Sequence, residues 1–187
     1  MELSLADQKI LLKVARETIL EAASGMKLKV LDLETFPESL RRTGCSFVTL
    51  TKRGALRGCI GALTATMPLV LDVQEHAYAA AMEDYRFPQV KSSEVDQLEI
   101  EISVLSPTQP LEYADPAELC SKLRPGVDGV VLRDGNRRST FLPQVWEQVP
   151  DCSQFLSQLC MKMGAPADLW RKKILQVETY TVFEFKE

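Results

Sequence analysis

The chain has 187 residues and a mass of 21.0 kDa, with 45% hydrophobic and 26% charged residues, enough for one or two globular domains that need neither metal nor disulfide to fold. Its 22 Lys and Arg against 26 Asp and Glu leave a net charge of −4, which speaks against a general binder of nucleic-acid backbone, whose footprint is a basic face. The single histidine, His76, weighs against histidine metal centres and against Ser-His or Cys-His catalysis, while five dispersed cysteines without a Cys-x-x-Cys fit neither a zinc site nor a secreted disulfide framework.

Ser4 followed by Asp7 predicts a capping box that opens a helix. Its stripe is Ile10, Leu11, Val14, Ala15, Thr18, Ile19 and Ala22, and Gly25 stops it. The opposite face (Lys9, Lys13, Arg16, Glu17 and Glu21) carries mixed charge, so the stripe is read as facing a core. The same stretch lacks the basic start and continuous apolar run of a signal peptide, and no window approaches about 18 apolar residues, so neither export nor a membrane span is expected. With the cysteines expected to be reduced, the expected location is cytoplasmic.

A connection with a short helix near Pro37–Arg42 follows, then strands over Ser46–Lys52 and Leu56–Ala62 joined as a hairpin at Arg53-Gly54-Ala55. Pro68 starts a helix whose apolar face (Leu69, Val70, Val73, Ala77, Ala80, Ala81) runs to Met82, with His76 read as a packed or surface histidine. Residues 82–90 are irregular, and Ser92, Ser93 and Asp96 make one turn before strand Leu98–Leu105. That strand alternates Leu98, Ile100, Ile102 and Val104 on one face with Glu99, Glu101 and Ser103 on the other. A helix over Pro116–Leu123 precedes a hairpin of Val127–Arg133 and Arg138–Leu142 around Asp134-Gly135-Asn136. Helices over Ser153–Met163 and Ala167–Lys172 and one long final strand, Ile174–Phe185, complete an α+β pattern of largely antiparallel sheets with interspersed helices.

Residues 56–61 read Leu-Arg-Gly-Cys-Ile-Gly. Strand alternation predicts that Arg57 and Cys59 project to one side as neighbours, so that the guanidinium favours the thiolate. Gly58 and Gly61 carry no Cβ and so admit a ligand or another backbone. The same residues fit a hairpin strand packed under a helix, with Cys59 a small buried hydrophobe. Both readings stay open on chemistry alone.

This hexapeptide resembles the signature of the AMMECR domain family, whose bacterial members are called AmmeMemoRadiSam system protein A. The resemblance continues through Asp84-Tyr85-Arg86-Phe87-Pro88, Ile100–Pro107, Gly129–Leu132 and Thr140–Trp146, ordered blocks within about residues 45–185. Tyr85 departs from the family pattern, which often has Pro there, and His76 stands where Asn is common. The resemblance implies one AMMECR-type α+β domain, built of a larger and a smaller subdomain around a cleft. It also implies association with a Memo-type protein and a radical S-adenosylmethionine protein.

The candidate catalytic residues are therefore Cys59 with Arg57 and Glu101, and the candidate ligand-binding residues are Gly58, Gly61, Asp84, Arg86, Thr140 and Gln144. The two arginines suit a carboxylate or phosphate, Glu101 suits a base, and Cys59 suits a nucleophile. No metal set is visible and no cofactor is expected. The first expected function is a component that binds a small-molecule or peptide ligand, or a partner, for the Memo-type and radical proteins. The second is a thiol-dependent transferase or hydrolase. A nucleic-acid-associated regulator is the weakest class at this net charge.

Overall fold

In the computed structural model, which describes residues 3–187, the chain runs α1 (Leu5–Ala23), α2 (Glu38–Arg41), β1 (Thr43–Lys52), β2 (Ala55–Gly61), β3 (Met67–Pro68), α3 (Leu69–Met82), β4 (Leu98–Leu105), β5 (Gln109–Pro110), α4 (Pro116–Lys122), β6 (Gly129–Asp134), β7 (Arg137–Phe141), α5 (Val145–Gln148), α6 (Cys152–Lys162), α7 (Leu169–Lys172), β8 (Gln176–Tyr180) and β9 (Val182–Lys186). It divides into two compact units, one made of the chain up to Leu105 with Phe183–Glu187, the other of Ser106–Val182. The α+β class read from the sequence holds, with antiparallel sheets in both units.

The first unit holds a sheet in the order β2-β1-β4-β9, with β3 beside the start of β1. The even-numbered residues of β1 and β4 (Val48, Leu50, Ile100 and Ile102) are fully buried against Leu11 and Ile19 of α1 and Val70 and Val73 of α3. The expected capping box is present: Asp7 N–H donates to Ser4 Oγ at 3.1 Å, and the Asp7 carboxylate accepts from Ser4 N–H. Gly25 then turns the chain off α1 with φ +69°, the left-handed region that favours glycine. The Leu98–Leu105 strand has the predicted boundaries and apolar face.

A polar line crosses this core. Ser46 Oγ donates to Asp72 Oδ2 at 2.7 Å, and His76 Nδ1 lies 3.1 Å from the same oxygen. His76 is thus a packed histidine paired one helical turn from Asp72. Burial, with Asp72 as the lesser cause, pushes the adjacent Cys45 thiol up to about 11.

The second unit holds a sheet in the order β5-β8-β6-β7 over a core of Leu119, Val130, Leu132, Phe155, Leu156 and Leu159. Trp146 stacks on Phe155 at 3.6 Å between ring centroids, and its indole N–H donates to the Asp128 carbonyl at 2.8 Å. Two expectations are corrected. The five cysteines are not all reduced, because Cys120 of α4 and Cys152, the first residue of α6, form a disulfide with Cα atoms 5.8 Å apart. The final strand is two strands in two sheets: Thr181 exchanges backbone hydrogen bonds with Ser106 N–H (2.9 Å) and Ser106 Oγ (3.0 Å), which interrupts the ladder between β8 and β9.

Candidate functional site

Strand β2 is an edge strand, and its partner β1 fixes where each hexapeptide side chain goes. The pairing sets Cys59 opposite Thr49 and Gly58 opposite Leu50, then shifts so that Leu56 faces Thr51. Arg57 is the extra residue of a β-bulge. The bulge breaks the alternation that would place Arg57 beside Cys59. The Arg57 guanidinium instead reaches Glu94, with Nε at 3.0 Å from Oε1 and a second nitrogen at 3.3 Å from Oε2, and Lys52 joins the same carboxylate at 3.1 Å. Chiefly through the Arg57 hydrogen bond, and with help from Lys52, this brings the Glu94 carboxyl down to about 2. Lys52 and Thr49 stand three positions apart on β1 and so leave opposite faces of the sheet, which puts the Arg57 cluster and the Cys59 side chain on different sides.

Cys59 has another setting. The Thr49 hydroxyl donates to its Sγ at 3.3 Å. Its backbone N–H donates to Asp84 Oδ2 at 2.9 Å, and its carbonyl accepts from the Arg86 guanidinium at 3.0 Å. Asp84 is 2% exposed and takes three further hydrogen bonds from Arg86: Nε at 2.8 Å, a terminal nitrogen at 2.6 Å and the backbone N–H at 3.2 Å. Arg86, foremost, with the Cys59 and Arg86 N–H groups, holds the Asp84 carboxyl well below the usual carboxylate range although burial opposes it. The Arg86 guanidinium is held above its ordinary value mainly by Asp84, with the Cys59 thiol as a lesser contributor. The guanidinium bonded to Cys59, through its backbone carbonyl, is therefore that of Arg86 and not that of Arg57. Together the Asp84–Arg86 turn occupies both outward backbone groups of Cys59, as a neighbouring strand would, and closes this stretch of sheet edge.

The two glycines are needed for packing. A Cβ on Gly58 would lie 2.2 Å from the Ala80 carbonyl oxygen, so α3 sits directly on β2 there. A Cβ on Gly61 would lie 2.3 Å from the Phe47 ring, its cross-strand neighbour. The space expected for a ligand at both positions is filled by the protein itself.

Glu101 faces Thr49 across the β1–β4 pair, so Cys59, Thr49 and Glu101 form one row across three strands, on the face away from α1 and α3. All three are half-buried. Thr140 and Gln144 belong to the second unit. Thr140 is buried, its hydroxyl 3.1 Å from the Tyr180 hydroxyl and its carbonyl accepting from Lys162 at 2.9 Å, while Gln144 is exposed just before α5. Glu94 and Thr49 are the residues sequence reasoning missed. Nothing local marks Glu94, whose partner Arg57 lies 37 residues away, whereas Thr49 follows from hairpin register. Among the described residues, no group of three or more His, Cys, Asp or Glu is placed to hold a metal ion.

What this turn shows to solvent is equally specific. Tyr85, between the two clamp residues, is 94% exposed, and Leu56 on β2 is 45% exposed. Arg86 also lies over the Phe87 ring at 5.5 Å. The Tyr85 backbone is thus held at both neighbours while its side chain is almost wholly exposed.

The family model described as AMMECR1 matches residues 12–185. A protein from Methanothermobacter thermautotrophicus is 43% identical over 168 residues, covering 89% of this chain and 86% of its own, and one from Methanococcus aeolicus is 36% identical over 187 residues, covering 100% and 94%. Among solved structures, the uncharacterized protein PH0010 from Pyrococcus horikoshii superposes with a TM-score of 0.77 at 34% identity, over 95% of this chain and 89% of that one.

Proposed function

The chain belongs to the AMMECR1 family, and from that premise we propose that it is a binding component that acts with a Memo-type protein and a radical S-adenosylmethionine protein, presenting the Asp84–Arg86 turn to a partner or to a peptide ligand. The observation that carries this reading is Tyr85. An almost wholly exposed aromatic side chain on a backbone already held by the Asp84 hydrogen bonds needs no further backbone ordering on binding, which suits a binding hot spot. The groups that looked reactive in the sequence support the same reading, since Arg57 is neutralised by Glu94 and the Cys59 backbone is locked by Asp84 and Arg86. Isothermal titration of the purified chain with a Memo-type protein and with a radical S-adenosylmethionine protein tests it. Saturable heat with at least one is expected, and none with either overturns it.

A second reading, a thiol-dependent transferase or hydrolase, is favoured by one arrangement: the half-buried Cys59 Sγ accepts from Thr49, the Arg86 guanidinium sits on the same residue's carbonyl, and Cys59 shares a row with Glu101. Here Cys59 is the nucleophile, Glu101 the base and Arg86 the group that would stabilise the thiolate. Iodoacetamide labelling over a pH series, with the three free cysteines mapped, discriminates. Under this reading Cys59 labels well below the ordinary thiol range of about 8.5, and Arg86→Gln but not Arg57→Gln moves its profile upward.

A further inference from the structure

Charge is unevenly divided in this molecule. Ser106–Val182 carries nine Lys and Arg against nine Asp and Glu, so the whole net charge of −4 belongs to the other unit. Within Ser106–Val182 the cations gather at one place. The tip of the β6–β7 hairpin bears Arg133, Arg137 and Arg138, and Lys173 joins it by an ion pair to Asp134 at 2.5 Å, directly after Arg171 and Lys172 of α7. These six cations meet three carboxylates. Asp134 serves both Lys173 and Arg137 (3.4 Å), Glu178 reaches Arg133 only at 3.5 Å, and Asp168 holds Lys172 at 2.6 Å.

The arrangement also runs against strand-pairing energetics. Arg133 and Arg138 stand directly opposite each other across the hairpin, a like-charge pair that destabilises a sheet. Among the described residues Arg138 forms no ion pair, and it is exposed, while Arg171 places its guanidinium over the Trp170 ring at 4.8 Å. Two opposed guanidinium forks on a short hairpin present donors spaced for successive carboxylates, each of which accepts bidentately.

We propose that the tip of the β6–β7 hairpin, with α7 beside it, is a docking surface for a short acidic segment of a partner polypeptide. A run of Asp or Glu would neutralise the Arg133–Arg138 repulsion and the excess charge carried by Arg138 and Arg171. A nucleic acid is the less favoured polyanion. Its charge continues beyond the patch, where the rest of Ser106–Val182 carries six carboxylates against three cations, and no exposed aromatic platform lies among these cations.

The test is fluorescence anisotropy of the full chain with labelled octaglutamate at about 50 mM salt, where electrostatic affinity is greatest, and with a labelled single-stranded RNA octamer in parallel. Saturable peptide binding that weakens steeply toward about 200 mM salt is expected, with the RNA bound more weakly. The Arg133→Gln/Arg138→Gln double variant should lose about tenfold or more in peptide affinity, because it removes both bidentate partners. The charge-matched control Lys9→Gln/Lys13→Gln, on α1, should stay within about twofold. Circular dichroism guards against misfolding, and relief of the like-charge pair should raise the melting temperature of the arginine double variant. No peptide binding, equal loss in the control, or tighter RNA binding that depends on the same arginines each overturns the proposal.

Discussion

The molecule contains two arginine-bearing hairpins, and they treat charge in opposite ways. At β2 the two guanidinium groups that touch the strand are each matched by a carboxylate that is itself largely buried, Arg57 of the hairpin by Glu94 and Arg86, from the turn after α3, by Asp84. In β6–β7, arginines oppose each other and the carboxylates are too few. The difference follows from burial. A guanidinium withdrawn from water costs several kcal/mol unless paired, so the largely buried Arg57 needs Glu94, while water screens the second hairpin and allows an excess of cations there. The charges around the Cys59 strand are thus paired within the protein, whereas the arginines at the β6–β7 tip are in excess over their carboxylates.

Each hairpin also lies in a unit with its own kind of tie, ionic in the first and covalent in the second, and the largest expected effect separates them. Reducing Cys120–Cys152, which closes a sequence separation of 32 residues, should cost the second unit about 3–4 kcal/mol and leave the first unchanged. Hydrogen exchange with and without reductant reads this unit by unit, and uniform loss of protection would break the comparison.

Gly58→Ala comes next. The added methyl group meets backbone rather than a side chain that can move, so a loss of about 3 kcal/mol is expected in chemical denaturation. A neutral result would mean that α3 does not lie directly on β2.

Acid should act mainly on the first unit. Asp84 and Glu94 both have carboxyl pKa values depressed by folding, so their stabilisation is complete above the unfolded carboxylate range near about 4. It is lost as pH falls from there through about 2 for Glu94 and lower still for Asp84. Asp84→Asn, which strands Arg86, should destabilise by about 2 kcal/mol at neutral pH and flatten part of this acid limb. An unchanged acid limb in both Asp84→Asn and Glu94→Gln would contradict the ionic account. The smallest effect has the opposite sign: Arg138→Gln should raise stability by about 0.5 kcal/mol, measured as a small upward shift of the denaturation midpoint.

Much of the architecture was legible because its causes are local. Ser4 and Asp7 announced the α1 cap, and the alternation from Leu98 to Leu105 gave β4 with its boundaries and buried face. The errors share a different cause. The bulge at Arg57 depends on pairing with β1, and its partner Glu94 arrives from a distant turn, so strand alternation alone misplaced the guanidinium. The final strand reads as continuous because Thr181 suits a strand, and only its bonds to Ser106 break it. The disulfide escaped because cysteine spacing in sequence says nothing about the approach of α4 to the start of α6. At the candidate site, the structure brings Asp84 and Arg86, both named from the sequence, to the Cys59 backbone, and Cys59 lies on the expected strand. That contact was not readable, since a carboxylate that binds a ligand and one that caps a strand edge look alike in sequence.

The central claim is that the Cys59 strand is architecture that holds Tyr85 in place for a partner. Calorimetric titration of a Memo-type protein into the wild-type chain, Tyr85→Ala and Cys59→Ser tests it most directly. The account predicts that Tyr85→Ala weakens binding about tenfold or more, while Cys59→Ser binds within about twofold of wild type. Full affinity in Tyr85→Ala together with loss in Cys59→Ser would contradict it and move the function to the thiol.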